Sequence, residues 1–282
     1  MQSVAVKPLN LAAVLLVGLM CLPLLFIPAT AVPWVLAGIA LLINGLFILV
    51  IFLTHNGGAG RGGQGGGGFA SSGDTIPHTT QQLRNLLGSG FQGYLFALLL
   101  GVLCITAEFR HKTVTTTFLI TPVRPVMVAG KLITAAIGGA VLAIIMLVST
   151  LVGGGLALVG RGGSFSALLH QVPAVAPGMI LVFILFAILG VGIGSLLTNQ
   201  VAAIVVTLGW FIILEGILVS LVHGAAKWVP TGAAEAAANL TRNRGDLSLF
   251  LFNWWQGTLL MLVYGLVFAL VGSMILTRRD IT

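Results

Sequence analysis

Of the 282 residues, 58% are hydrophobic and only 7% are charged, where a soluble globular domain carries about 25% charged residues. A soluble fold of this composition would have too little polar surface to face water, which excludes an ordinary cytosolic domain and makes lipid the fitting solvent. The formal charge of +7, from 13 Lys and Arg against 6 Asp and Glu, would suggest nucleic acid in a soluble chain; here the basic residues fall in short segments between apolar runs, as topology signals and contacts to anionic headgroups do, so membrane lipid and not nucleic acid is the expected partner.

Seven apolar runs follow one another: Leu9–Pro28, Pro33–Leu53, Ser89–Ala107, Val126–Val159, Pro177–Leu197, Val201–Val222 and Trp255–Leu276. Most reach the ~18 residues of a membrane span. None shows the alternation of a barrel strand, so the reading is an all-α, polytopic transmembrane helix bundle, residues 1–282 forming one domain. Pro23 and Pro28 interrupt the first run and Pro33 opens the second. Residues 9–28 could span, lie in the interface or re-enter; Lys7, which prefers the inside, favours an interfacial or re-entrant segment beside a six-span core. No small-residue cleavage site follows it, so the N-terminus is expected to be retained. In the fourth run, Lys131 is expected to snorkel to the interface. Gly153, Gly154 and Gly155 are expected to fray its far end, leaving a span over Leu132–Val152.

From Gly57 to Gly68 only Ala59, Arg61 and Gln64 are not glycine. Such a stretch buries too little to order itself, so 55–78 reads as a flexible extracytoplasmic loop. A phosphate-binding loop would need GxxxxGK[ST], and the chain has none. Thr79–Leu87 reads as a short amphipathic helix leading into the third run. Lys227–Phe250 reads as an outer loop carrying short interfacial helices around Ala233–Ala238.

Charge density sets the sides. Arg110, Lys112, Arg124, Lys131, Arg278 and Arg279 cluster in the shortest loop and the C-terminal tail, whereas Lys7, Arg61, Arg84, Arg161, Lys227, Arg242 and Arg244 are spread over longer segments. The positive-inside rule places 108–125 and the C-terminus in the cytoplasm. Trp228, Trp254 and Trp255 then suit an outer interfacial belt.

Glu215, in FIILEGILVS, is the one carboxylate well inside a span. It could line a pathway, bind a cation or relay protons; a structural hydrogen bond to a neighbouring helix would equally explain it. Cys21 and Cys104 read as small buried hydrophobes. Glu108 and His111 have ExxH spacing but lack the second copy a di-metal site requires, so no metal is expected. No catalytic motif appears, so an enzyme is not expected. Gly190, Gly192 and Gly194 sit in an apolar span and read as helix-packing glycines, not a dinucleotide fingerprint. His55, His78, His170 and His223 read as solvated or interfacial.

The stretch Thr106–Lys131, TAEFRHKTVTTTFLITPVRPVMVAGK, is a loop neither glycine-rich nor wholly polar. Glu108, Arg110 and His111 charge the membrane exit, Val114, Phe118, Leu119 and Ile120 supply an apolar face, and Pro122 and Pro125 end it. A short amphipathic helix along the cytoplasmic surface fits, a handle for a soluble partner. The stretch resembles the coupling loop of the type-2 ABC transporter permease family: Glu108 and Thr113, then an apolar stretch, then Thr121 and Pro122 ahead of Arg124, then Gly130 and Lys131. Lys112 stands where the family has glycine. The resemblance covers the chain from about Ser89 onward. It implies a permease in which Glu108, Arg110, Thr113, Pro122, Arg124 and Lys131 couple to a separate ABC-type ATPase subunit. ATP and magnesium would be bound by that partner and no cofactor by this chain. It also implies a second permease copy, a homodimer or heterodimer, and export of drug-like, lipid or polyketide-like substrates across the cytoplasmic membrane. The alternative is an ATP-independent channel or secondary transporter using Glu215, although no internal repeat supports it.

Overall fold

The computed structural model describes residues 31–56, 80–111, 124–160, 162–197, 199–240 and 252–278. Among them the secondary structure is entirely helical. Helix α1 spans Val32–Asn56; α2, Thr80–Leu87, passes through a 3-10 stretch, Gly88–Gly93, into α3, Tyr94–His111. Next come α4, Arg124–Val159, the short α5, Phe165–Leu169, and α6, Val172–Leu196. The following span starts as α7, Gln200–Leu208, continues as a π-helix, Gly209–Leu214, and ends as α8, Glu215–Leu221. A 3-10 turn, His223–Lys227, leads to α9, Pro230–Ala237, and α10, Trp254–Arg278, closes the described chain.

Five helical stretches are long and apolar enough to cross a membrane: Leu83–Ala107, Ala129–Val159, Val172–Leu196, Gln200–Leu221 and Trp254–Gly272. The protein is thus a multi-pass helical membrane protein. In α1 the apolar stretch found is the shorter Pro33–Leu46. Residues 9–28 and the glycine-rich loop lie outside the described residues.

Glycines set how the spans meet. A Cβ at Gly101 of α3 would run into the Ala187 carbonyl of α6, and one at Gly190 of α6 into the Leu98 carbonyl of α3. At Gly194 it would stand 2.8 Å from the Val102 carbonyl oxygen. The two backbones touch with no side chain between them, the close approach that small residues permit in lipid. Gly192, on another side of the same helix, faces Phe268 of α10. The helix-packing reading of this glycine run holds. Leu98 with Gly190 and Val102 with Gly194 rise together, as do Leu185 with Gly265 and Ser195 with Gly272, so α3, α6 and α10 are parallel. Gly138 of α4 meets Leu100 of α3, whereas Gly90, ahead of α3, meets Met146 and Thr150 farther along α4, so α4 runs antiparallel to them. Asn44 donates to Ser149 at 3.0 Å, joining α1 to α4.

An aromatic chain threads this core. Phe91 contacts Tyr94 (centroids 5.2 Å apart), Tyr94 contacts Phe186 (4.5 Å), and Phe186 meets Phe211 of the π-helix edge-on (5.7 Å). Outward, Ile133, Ile137, Val141, Ile144, Val148 and Val152 form an exposed stripe along α4. Their three- and four-residue steps make one helix face, which lipid solvates at no cost.

Two expectations about this framework fail. Gly153, Gly154 and Gly155 do not fray α4, which continues to Val159. They admit neighbours instead: Ile48 of α1, Leu86 of α2 and Phe165 of α5. The segment around Ala233–Ala238 is also no surface helix. In α9, Gly232 to Ala237 are all buried. A Cβ at Gly257, in the first turn of α10, would lie 2.5 Å from the Ala233 carbonyl oxygen, and one at Gly178, near the start of α6, would strike that of Ala237. Removal of two side chains makes room for a buried helix between the N-terminal ends of α6 and α10.

Candidate functional site

Among the described residues, polar groups gather at each end of this apolar bundle. The first is the junction of α3 and α4. Glu108 and Arg110 fall in the last turns of α3, and Arg124 is the first residue of α4. Thr113 and Pro122, with the rest of 112–123, lie outside the described residues. Lys131 does not snorkel outward as its position near a helix end suggested. It is 9% exposed, and its Nζ donates to the Cys104 carbonyl oxygen of α3 at 3.3 Å. A buried ammonium needs acceptors. It finds one across the helix pair, which joins the two flanks of the loop inside the bundle.

The second place is the opposite end, where α8, α9 and α10 meet. Glu215 opens α8 directly after the π-helix and is 3% exposed. Thr231 Oγ1, at the start of α9, donates to Glu215 Oε2. Burying a carboxyl in a membrane protein is expensive without such donors. The N-terminus of α9, with its partial positive charge, adds to the offset. Tyr264 of α10 donates to the Trp228 carbonyl oxygen and lies within electrostatic reach of Glu215. The first bond ties α9 back to α8, and the second ties the connector between them to α10. Val219, Ala226 and Val229 form a small apolar cluster that packs it. One acceptor carboxyl facing a hydroxyl, with a phenol nearby, can fix a helix or exchange a proton.

A second buried carboxylate, Glu235 at 5% exposure, sits on α9. Sequence reasoning passed it over because it stands in a loop. The available signal was its flanks: Ala233–Ala238 holds five alanines and this single acid in a chain with only six Asp and Glu. Among the described residues, no three His, Cys, Asp or Glu side chains gather as metal ligands. Cys104 is a free thiol.

These features define a class, the multi-pass helical membrane protein with a glycine-packed core and a buried polar joint at one end. Comparison adds no narrower assignment, because no protein-family model matches the chain and no significant match to a curated protein is found.

Proposed function

We propose that this chain is the permease subunit of an ATP-binding-cassette export system in the cytoplasmic membrane. One observation carries the reading. The stretch that resembles the coupling loop of type-2 ABC permeases runs from Glu108 on one helix to Gly130 and Lys131 on the next, and these two helices are tied by Lys131 to the Cys104 carbonyl. A loop anchored in this way can pass a push from a soluble subunit into the bundle. In this reading Glu108, Arg110, Thr113, Pro122, Arg124 and Lys131 meet or brace the ATPase, which binds ATP and magnesium. Two permease copies form the path, α1 supplies the sixth span, and the cargo is drug-like, lipid or polyketide-like. Affinity purification from the native membrane tests it. A stoichiometric ATPase carrying a Walker A lysine is expected; recovery of the chain alone, or with itself only, would sink the proposal. Glu108→Ala and Arg110→Ala are each expected to cut ATP-driven export with the chain still inserted.

A second reading, an ATP-independent channel or secondary transporter, rests on the buried Glu215. Its bond to Thr231 favours a structural role for the carboxyl, and Glu215→Gln separates the two. An amide still accepts from Thr231 but carries no charge. Transport that survives Gln and fails with Ala supports the structural role, and failure with both supports ion coupling.

A further inference from the structure

Lys227 ends the 3-10 turn that follows α8. Its Nζ stands 5.8 Å from the ring centroid of Trp228 and 5.7 Å from that of Phe252. The two rings meet edge to face at 5.3 Å and 88°. An ammonium over aromatic faces is attracted by their quadrupoles, and that attraction uses none of its three N–H donors. Among the described residues no hydrogen-bond acceptor or carboxylate is found for this Nζ. The platform is also fixed. The Tyr264 hydroxyl holds the Trp228 carbonyl, and Ala226 and Val229, on either side of Lys227 and Trp228, pack against Val219.

The surroundings identify the phase this group faces. Trp228 is 55% exposed, and Trp254 and Trp255, at the start of the next span, are exposed as well. Exposed tryptophans at span ends mark the headgroup layer of a bilayer. The connecting sequence adds Arg242 and Arg244 to Lys227 against Glu235 and Asp246, and Glu235 is buried. The site is cationic, has donors to spare and borders lipid.

We propose that Lys227, Trp228 and Phe252 form a binding site for the phosphate of an acidic phospholipid at the membrane face carrying α9. The ammonium donates to phosphate oxygens while the rings hold it in place and lie against the glycerol and upper acyl region. An acidic headgroup is favoured over a zwitterionic one, which brings its own cation to compete for the phosphate. The proposal requires only that the chain spans a membrane and stands apart from the exporter reading.

The test uses the full chain purified in mild detergent. Phosphatidylglycerol, phosphatidylcholine or inorganic phosphate is added; native mass spectrometry counts retained lipids and thermal unfolding reports stabilisation. Phosphatidylglycerol is expected to be retained and to raise the melting temperature more than phosphatidylcholine does. Lys227→Gln is expected to weaken phosphatidylglycerol binding about fivefold, the loss of one interfacial cation. Lys227→Arg should keep it, since a guanidinium also stacks on rings and binds phosphate. Equal retention of phosphatidylglycerol by wild type and Lys227→Gln would overturn the proposal, as would equal binding of the two lipids. Inorganic phosphate stabilising as well as the lipid would make this a free-anion site instead. Should Lys227→Gln fail to fold, the wild-type comparison of the three additives decides alone.

Discussion

The α3–α6 contact and the joint of α8, α9 and α10 hold helices together by opposite means. In the first, glycine removes side chains and two backbones touch over Gly101, Gly190 and Gly194. In the second, side chains reach across, Thr231 to Glu215 and Tyr264 to the Trp228 carbonyl. Hydrophobicity cannot favour helix contact over lipid contact, so an association in the membrane needs close packing or polar bonds. Packing is dense but rigid, because any added atom meets backbone. Polar bonds are fewer and can be exchanged for others. The contrast identifies the joint, and not the α3–α6 core, as the place where this bundle could rearrange.

The comparison breaks most decisively at the glycines. Gly190→Leu would drive a side chain into the Leu98 carbonyl and is expected to cost about 3 kcal/mol or to abolish folding. Detergent-titrated unfolding with size-exclusion chromatography checks it, and a folded, wild-type-like protein would refute backbone contact. Next in size is Glu215→Ala, which strands the Thr231 hydroxyl and is expected to cost about 2 kcal/mol. Glu215→Gln should lose less than half of that in the same assay; equal losses would mean that charge and not hydrogen bonding holds the joint. Asn44 lies between the two extremes. Its Nδ2 bonds Ser149, but its Oδ1 is buried with no partner among the described residues. Ser149→Ala is therefore expected to cost only ~0.6 kcal/mol, the usual worth of such a bond in a membrane. Smallest is Gly38→Ala. A Cβ there meets nothing within 4 Å, so a stabilisation of ~0.5 kcal/mol is expected from the stiffer helix. A loss would show a contact to another molecule at that face.

How far the sequence carried depends on what each feature requires. Spans are long apolar runs set by the bilayer itself, so the five long helices were legible with their ends a few residues off. The third run even joined its amphipathic leader, Thr80–Leu87 continuing through Gly88–Gly93 into α3. Glycines at Gly190 and Gly194 were legible because an apolar span leaves them little use but packing. Gly153–Gly155 misled, since glycine weakens a helix by itself and only neighbours such as Phe165 reveal the gap it fills. Helix α9 was hidden for a similar reason. Its eight residues, PTGAAEAA, look polar-flanked and exposed until Gly178 and Gly257 open space for them. Lys131 was read by its distance from a helix end, whereas the Cys104 carbonyl that holds it lies on another helix. The π-helix before Glu215 had no signal in composition or period, because it changes only which carbonyl each N–H reaches.

The tie between Lys131 and the Cys104 carbonyl has a mechanical consequence. From Cys104 to His111 and from Arg124 to Lys131 is in each case about two helical turns, roughly 10 Å of axis. The tie thus joins the two helices at a point set back from their facing ends, with two arms of equal length in front of it. In the exporter reading, a push on residues 112–123 would reach both arms at that point, and because α3 beyond it is locked to α6 through Gly101, Gly190 and Gly194, the two helices would take the load as one body.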